Sequence, residues 1–344
     1  KQLHPYQQEL IRQASTIPNV GLFLPPGLGK TATTLTIIAE QMQGKTLIIA
    51  PKKVAETVWQ QETTKWNHLK HLRVSKIMGT ATQRSSALTS PADIYLINLE
   101  NVAWLTEQPE MKMFQNLVID ESSRFKDPST KRFKALKKNL KNFQRRIILT
   151  GTPTPQGMAD LWAQVGILDL GMRLETSLTR FRDLYMTPDQ MNRQTKVVYS
   201  WRLKDGAKDV ITKKIEDICF SLKAEDYLQL PPLTNLYHQI EIEQKIRNQY
   251  DQLRKDMVAN IGTEQITAPT AAALANKLLQ FTSGAVYNEE GQPQDVHSAK
   301  VEYLESIMEE SSSPTLVFYH FKHSLQRLQL HFPQAVVLDD DNIE

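Results

Sequence analysis

Short apolar runs recur through the first half of the chain and alternate with longer polar or amphipathic stretches. Most runs carry apolar side chains at consecutive positions, which is typical of strands buried on both faces of a parallel sheet. Strands are predicted at residues 21–24, 46–50, 74–78, 94–98, 117–119 and 146–149. Helix-forming stretches such as residues 32–41 separate these runs. The alternation predicts an α/β fold with a doubly wound parallel sheet.

The second part of the chain has a different pattern. Residues 163–229 become helical and less regular, and residues 241–279 show helical periodicity that is broken at 261–262 and at Pro269. A chain of 344 residues is long for one hydrophobic core, so we expect two domains.

The run that ends at Leu24 meets a glycine-containing loop and then a predicted helix. Backbone N–H groups approach phosphate closely only where side chains are small, as at Gly27 and Gly29. Lys30 would then contact the β- and γ-phosphates of a nucleotide, and Thr31 would hold Mg²⁺. The strict phosphate-loop pattern has glycine in place of Leu24, but the remaining loop supplies the parts that contact phosphate. The alternative is an ordinary glycine-rich turn before a helix.

Two adjacent carboxylates follow the predicted strand at residues 117–119. In a nucleotide site Asp120 would hold Mg²⁺ through water, and Glu121 would orient and deprotonate the attacking water. Taken alone, such a pair is more often an ordinary acidic strand end. Together with the upstream phosphate loop it favours phosphoryl transfer from a nucleotide.

Three further polar residues fit this chemistry. Thr150 and Thr152 follow a predicted strand, and short hydroxyl side chains can change hydrogen-bond partner when phosphate is lost. The alternative for them is a turn favoured by glycine and proline. Gln7 is assigned to the polar side of a helix that starts near Pro5. Its amide offers both a donor and an acceptor, as reading an adenine edge requires, although a surface glutamine is the alternative.

Composition and charge narrow the class of protein. The hydrophobic fraction of 40% is that of an ordinary globular protein, and no apolar run approaches membrane-spanning length. We therefore expect a cytoplasmic protein without a membrane partner. The one cysteine, Cys219, excludes an internal disulfide framework.

The net charge of +3 is unevenly distributed, since residues 124–146 are strongly basic. Such a run is either a solvated surface or a track for DNA phosphates.

Several motifs together resemble a known family. They are Leu3-His4-Pro5-Tyr6-Gln7, Gly27-Leu28-Gly29-Lys30-Thr31, Ala50-Pro51 with Trp59, Glu62 and Trp66, Asp120-Glu121, and Leu149-Thr150-Gly151-Thr152-Pro153 with Leu161-Trp162. The set resembles superfamily-two helicases and is most similar to the Swi/Snf-type, or Snf2-like, DNA translocases. Farther along, Leu228-Gln229-Leu230-Pro231-Pro232 resembles the linker between two RecA-like lobes. Ser298–Leu304 and Thr315–Phe321 resemble the opening of the second lobe.

The resemblance implies a domain organisation. Residues 1–165 would form the first RecA-like lobe, with the P-loop NTPase fold. Residues 166–230 would be an α-helical insertion and the return to that lobe. Residues 231–344 would hold the linker, a helical segment and the start of the second lobe.

The resemblance also implies an ATP hydrolase that uses ATP and Mg²⁺ and moves along double-stranded DNA. Its catalytic residues would be Lys30, Asp120 and Glu121. Its nucleotide-binding residues would be Gln7, Gly27, Gly29, Lys30 and Thr31, with Thr31 and Asp120 at the metal. DNA would lie against Lys52, Lys53, Asn98 and Thr152, and Thr150 with Thr152 would couple the two sites. A protein partner subunit is compatible with such a motor. The expected setting is a bacterial or phage-infected cell, or the nucleus only if the source is eukaryotic.

Two other interpretations stay open. One is a strand-separating helicase or the motor subunit of a restriction system. The other is a non-hydrolysing regulator that binds DNA or protein and retains the fold.

Two of the chain's departures from the family pattern affect the expected ATP hydrolysis and its coupling to DNA. Ser123 stands where the family usually has histidine, in a position that links ATP to DNA. The sequence also stops at Glu344, before the motifs that supply the family's arginine fingers. We therefore expect one complete lobe and part of another, with weak ATP binding and slow hydrolysis. If turnover is nevertheless fast, Arg124 and Arg173 are the first candidates for a catalytic arginine.

Overall fold

The computed structural model describes residues 2–192, 195, 197–227, 234–261, 268–288, 290–310 and 314–338. The chain divides into two compact units, Lys1–Pro231 and Pro232–Glu344. The Leu228–Pro232 motif, which resembles an inter-lobe linker, lies outside the described residues.

The first unit is built on a parallel sheet. Its strands are β1 (Asn19–Phe23), β2 (Lys45–Ala50), β3 (Val74–Ile77), β4 (Ile94–Asn98), β5 (Phe114–Asp120), β6 (Arg145–Thr150), β7 (Met186–Met191), β8 (Val198–Leu203) and β9 (Cys219–Ser221). Seven of them form one sheet in the order β3-β4-β2-β5-β6-β1-β9, and each neighbouring pair in it is parallel. The predicted α/β fold with a parallel sheet is confirmed.

Helices cover both faces of this sheet. They are α1 (Pro5–Thr16), α2 (Lys30–Gln41), α3 (Trp59–Lys65), α4 (Ala81–Thr89), α5 (Val102–Leu105), α6 (Lys131–Lys137), α7 (Asp160–Asp169), α8 (Leu178–Tyr185) and α9 (Ala207–Ile215). Successive strand residues point to opposite faces, so Leu22 and Ile48 join one apolar core while Phe23 and Ile49 join the other. Strands buried on both faces explain the nearly continuous apolar runs in the sequence.

The segment predicted as a helical insertion contains more than helices. Strands β7 and β8 pair as an antiparallel hairpin, which the sequence reading did not anticipate. Most of β7 is exposed, so its sequence lacks the alternation of apolar and polar residues that predicts a strand. The chain then returns to the sheet through β9, which pairs with β1. A Cβ at Gly21 would lie 3.0 Å from the Cys219 sulfur, and burial raises the pKa of this thiol to about 12.

The second unit contains α10 (Gln244–Ile261), α11 (Ala268–Thr282), β10 (Ala285–Tyr287), β11 (Pro293–Asp295), α12 (Ala299–Glu310) and α13 (Lys322–His331). The end of α10 matches the predicted break, whereas Pro269 lies in the first turn of α11, where proline is tolerated. Strands β10 and β11 pair as a hairpin. Of the two stretches that resemble the opening of the second lobe, residues 315–321 are in neither helix nor strand, whereas residues 299–304 belong to α12. Within the described part of the chain, no helix is both long and apolar enough to span a membrane.

Candidate active site

Three neighbouring strands deliver the predicted nucleotide-binding motifs to one edge of the sheet. The register pairs Phe23 of β1 with Thr150 of β6, and Asp120 of β5 with Leu149 of β6. Because these strands are parallel, the segments that follow them emerge together at their carboxyl ends. Ligands of open α/β sheets bind at this edge.

The phosphate loop connects β1 to α2. Gly27 and Gly29 have φ values of 86° and 67°, in the left-handed region that favours glycine. Helix α2 begins at Lys30, so its free N–H groups face the loop. The Lys30 Nζ donates a hydrogen bond of 2.8 Å to the Leu24 carbonyl oxygen. Burial lowers the pKa of Lys30, while the charges of Glu121 and Asp120 oppose this shift.

Gln7 does not lie on a polar face, contrary to the sequence-based assignment. It is only 3% exposed and packs against the phosphate loop. Its Nε2 donates to the Gly29 carbonyl oxygen at 3.4 Å and to the Thr33 hydroxyl at 3.2 Å. Its Oε1 accepts the backbone N–H of His4 at 2.8 Å. Gln7 therefore holds the phosphate loop against α1, a contact between distant residues that helical periodicity could not reveal.

A cleft of about 580 Å³ opens beside the loop. It is lined by Gln2, His4, Tyr6, Gln7, Gly27, Gly29, Lys30, Thr31, Ala32, Val58, Glu62 and Trp66. The indole N–H of Trp66 donates to Glu62 at 2.9 Å, which fixes one wall. The cleft thus combines the glycine-containing loop before α2 with aromatic and carboxylate side chains.

Asp120 is held by two donors at the end of β5. The indole N–H of Trp59 donates to its Oδ2 at 3.1 Å, and the backbone N–H of Glu121 donates to its Oδ1 at 3.1 Å. Burial raises the pKa of Asp120, and the Trp59 hydrogen bond partly offsets this rise. The sequence offered Trp59 only as a family mark, because its contact with Asp120 joins residues far apart in the chain.

Glu121 adopts an unusual backbone conformation. Its φ of 54° is left-handed, which costs a non-glycine residue about 1–2 kcal/mol. The Thr150 hydroxyl lies 3.4 Å from the Glu121 carboxylate, and the backbone N–H of Thr152 donates to the Thr150 hydroxyl at 3.1 Å. The structure therefore brings the predicted relay residues next to the second carboxylate.

A buried glutamine, absent from the sequence-based site, lies behind the acidic pair. Gln164 of α7 accepts the Ser122 hydroxyl at 2.7 Å and donates to the Pro153 carbonyl oxygen at 2.7 Å. The one available signal was its position, since Gln164 is the polar residue in the apolar stretch 161–168 of α7. Its neighbours on α7 include Ala163 and Val165.

The four residues predicted to face DNA lie in different environments. Lys52 and Lys53 are exposed just after β2, and Thr152 is exposed after β6. Asn98 at the end of β4 is only 8% exposed. Its Nδ2 donates to Glu100 at 2.6 Å, and its Oδ1 accepts from Asn101 at 2.5 Å. These bonds occupy the Asn98 amide within the chain.

The basic run at residues 124–146 is not uniformly solvated. Arg145 donates to the carbonyl oxygens of Gln41 and Ala14, and Arg146 is buried with bonds to Asn19 and Leu140. These two arginines therefore support the fold. The run's remaining exposed cations are Arg124, Lys131, Lys134, Lys137, Lys138 and Lys141.

Of the two fallback arginines, Arg173 is engaged in an ion-pair cluster. It contacts Asp217 at 2.5 Å and Asp169 at 3.4 Å, which raises its pKa and lowers that of Asp217. Arg124 is exposed.

Comparison with known proteins decides the family. Residues 12–284 match the SNF2-related domain, which is most of the chain. The chain belongs to the SNF2-related domain family. This confirms the Snf2-like resemblance of the motifs.

Individual relatives agree with this family. "Putative protein p41" of Acyrthosiphon pisum secondary endosymbiont phage 1 is 34% identical over 97% of this chain and 75% of its own length. A Xenopus tropicalis protein, SWI/SNF-related matrix-associated actin-dependent regulator of chromatin subfamily A-like protein 1, is 27% identical over 88% of this chain. The chain spans only 30% of the length of that protein.

A solved structure shares the fold. The Sulfolobus solfataricus SWI2/SNF2 ATPase core, solved in complex with double-stranded DNA, aligns with a TM-score of 0.54 and 24% sequence identity. The alignment covers 90% of this chain and 64% of the archaeal chain. At this identity the likeness shows a RecA-like fold.

Proposed function

We propose that this chain binds Mg–ATP in the cleft beside the phosphate loop, hydrolyses it, and uses the reaction to move on double-stranded DNA. The observation that carries this proposal is the meeting of Lys30, Asp120 and Glu121 at the carboxyl ends of β1 and β5, with Thr150 of β6 between them. A lysine, a carboxylate for the metal and a carboxylate for water are the parts that phosphoryl transfer requires.

The residues of the cleft fit a nucleoside triphosphate. The left-handed glycines leave the loop backbone open to phosphate, and α2 places its N-terminus behind it. The Lys30 amine already reaches across the loop to the Leu24 carbonyl oxygen, so phosphate oxygens would be stronger partners for the same group. The cleft volume of about 580 Å³ lies in the range of small-molecule sites.

The donor set also fits Mg²⁺. Among the described residues, no group of three or more His, Cys, Asp or Glu side chains could hold a metal ion alone. Mg²⁺ commonly takes one or two carboxylates and completes its shell with water and substrate phosphates. Asp120 and Thr31 would hold it here, the carboxylate through water.

The reaction divides between bound cofactor and protein. When bound, ATP would supply the phosphoryl group, and Mg²⁺ would neutralise part of the negative charge on its phosphates. Glu121 would orient a water molecule and accept its proton, and the Thr150 hydroxyl beside it constrains where the carboxylate points. Lys30 would stabilise negative charge on the phosphate oxygens.

The DNA part of the proposal rests on position. Lys52, Lys53 and Thr152 are exposed after strands that end at the same edge as the nucleotide motifs. Lysines so placed would contact phosphates without reading base sequence. The Sulfolobus solfataricus neighbour was solved in complex with double-stranded DNA, which supports duplex DNA as the partner.

The test is phosphate release from Mg–ATP with and without blunt duplex DNA. We expect slow release that duplex DNA accelerates, and we expect Glu121→Gln to bind nucleotide while losing turnover. Release that Glu121→Gln leaves unchanged would contradict the catalytic assignment. Nucleotide and DNA binding without any release would instead indicate a non-hydrolysing regulator. Displacement of a strand from a tailed duplex would indicate a helicase.

A further inference from the structure

The acidic turn after β5 and the loop after β6 are joined by side chains from the first turns of α7. The acidic turn comprises Asp120–Lys126, and the Thr-Pro loop comprises Thr150–Ala159. Asp160 and Gln164 lie four residues apart, so both project from the same face of α7. We infer that Gln164, with Ser122, is a positioning pair that transmits nucleotide binding at the acidic turn to DNA binding at the Thr-Pro loop.

The orientation of the Gln164 amide is fixed by its partners. Its Nε2 lies 2.7 Å from the Pro153 carbonyl oxygen and 2.9 Å from the Asp160 carbonyl oxygen, and both are pure acceptors. The Oε1 must therefore face Ser122, whose hydroxyl donates to it at 2.7 Å. Each polar group of the amide thus has a partner, and one side chain binds both segments.

Burial makes this arrangement selective for one geometry. Ser122 and Gln164 have no exposed surface. A buried donor or acceptor that loses its partner is left without a hydrogen bond from either protein or water. Separating the Thr-Pro loop from the acidic turn is therefore energetically unfavourable. Movement at either segment is therefore passed to the other through Gln164.

A second contact supports the same connection. Asp160 accepts the backbone N–H of Gln156 in the Thr-Pro loop at 2.7 Å and lies 3.8 Å from the Lys126 ammonium in the acidic turn. Asp160 is 9% exposed, whereas Gln164 is fully buried. We assign the main role to Gln164, since its contact with the acidic turn measures 2.7 Å, against 3.8 Å for that of Asp160, and is shielded from solvent.

Gln164 and Ser122 would couple the two sites although Ser123 replaces the family's usual histidine. This coupling rests on the proposed function, because it needs both nucleotide and DNA to bind. Ser122 neighbours Glu121, which would act on water, and Pro153 follows Thr152, which would face DNA. Gln164 contacts neither ligand and acts only through these two segments.

The test measures duplex affinity by fluorescence anisotropy with and without a Mg-bound, non-hydrolysable ATP analogue. The ratio of the two dissociation constants is the coupling. In the wild-type chain we expect about fivefold or more, as in typical allosteric proteins. In Gln164→Met the ratio should fall close to one while each ligand still binds. Asn116→Leu, which removes another buried amide bonded to Gln43 and Thr46 near the start of β5, should keep the wild-type ratio.

A double variant separates positioning from simple stabilisation. Gln164→Met leaves the Ser122 hydroxyl without its acceptor, whereas Ser122→Ala/Gln164→Met removes both members of that bond. The double variant should therefore melt at a higher temperature than Gln164→Met. Its coupling should nevertheless stay close to one. Coupling that returns together with the melting temperature would show a purely structural role and overturn the inference.

The remaining outcomes are also decisive. A wild-type ratio of one with both ligands bound, or a Gln164→Met variant with the wild-type ratio, would overturn this inference alone. A wild-type chain that binds neither ligand would overturn the proposed function and, with it, the inference.

Discussion

The Asp120 carboxylate has lost most of its contact with water and keeps two hydrogen-bond donors instead. Burial is the largest influence on its pKa and raises it above the usual 3.8. The ionised form is the one that would hold Mg²⁺ through water. The proton and the metal therefore compete for this side chain at higher pH than they would at an exposed aspartate.

This competition predicts a pH dependence of nucleotide binding. The increase in affinity that Mg²⁺ provides should shrink as pH falls through the raised pKa of Asp120, since protonation removes the charge. The measurement is a binding titration with Mg²⁺ and with EDTA across the pH range. The nucleotide phosphates titrate as well, so the same series is recorded for Asp120→Asn, whose Mg²⁺ increment should be small throughout. Equal pH profiles in the two proteins would contradict the metal assignment.

Gly29 combines a left-handed backbone with a crowded neighbour. A Cβ at this position would collide with the Gln7 amide, whereas a Cβ at Gly206, whose φ is 72°, would meet nothing within 4 Å. Gly206→Ala should therefore lower the free energy of unfolding by only the conformational cost, about 1–2 kcal/mol. Gly29→Ala should lower it further. Chemical denaturation measures both.

A second substitution identifies the source of the excess. In a Gln7→Ala background the collision is absent. Gly29→Ala should therefore lower the free energy of unfolding by less in that background than it does in the wild-type chain. Equal costs at Gly29 and Gly206 would show that the Gln7 contact does not constrain the loop.

Functional residues that belong to a local motif could be predicted from the sequence. The distant residues that hydrogen-bond to them could not. Lys30, Asp120 and Glu121 each follow an apolar run, and that local pattern indicates a strand end. Trp59 and Gln164 reach the acidic turn across 61 and 42 residues, respectively. Such separations leave no periodic signal, so only the folded chain reveals these partners.

At the scale of elements, the carboxyl end of β2 offers a direct test of the DNA surface. Lys52 and Lys53 follow this strand and are exposed. If each lysine neutralises one phosphate, Lys52→Gln/Lys53→Gln should reduce the slope of log affinity against log salt by about 1.8. The loss should be similar for different duplex sequences. Anisotropy titrations over a salt series provide the slope.

The control pair lies at the opposite edge of the same sheet. Lys70 and Lys112 are exposed and precede β3 and β5, so they emerge at the amino-terminal ends of the strands. Lys70→Gln/Lys112→Gln changes the net charge equally and should leave the slope nearly unaltered. If both pairs reduce the slope equally, Lys52 and Lys53 contribute to DNA affinity only through the net charge of the chain and do not form a binding surface.

Long buried strands were predictable elements, and short or polar ones were not. β2 and β4 to β6 coincide with apolar runs because both faces of each strand are covered. β9 has only three residues, and β7 is mostly exposed, so neither carries the apolar pattern of a central strand. The last two residues of the basic run were misleading for a related reason: Arg145 and Arg146 form hydrogen bonds inside the fold that charge counting cannot anticipate.

At the scale of the whole molecule, the central claim is that the first unit binds nucleotide through its phosphate loop. Lys30 supports that claim most specifically, and Lys76 provides a matched control. Each ammonium donates to a main-chain carbonyl oxygen, Lys30 to Leu24 at 2.8 Å and Lys76 to Glu56 at 2.5 Å. Only Lys30 lines the cleft.

The most direct measurement is calorimetric titration of Mg–ATP into the wild-type chain, Lys30→Ala and Lys76→Ala. A hydrogen bond to a charged group is worth about 1.5–3 kcal/mol, so Lys30→Ala should weaken binding by roughly 10- to 150-fold. Its fold should stay intact by circular dichroism, and Lys76→Ala should bind as the wild type does. A Lys30→Ala protein that is folded and binds Mg–ATP with wild-type affinity would contradict the account.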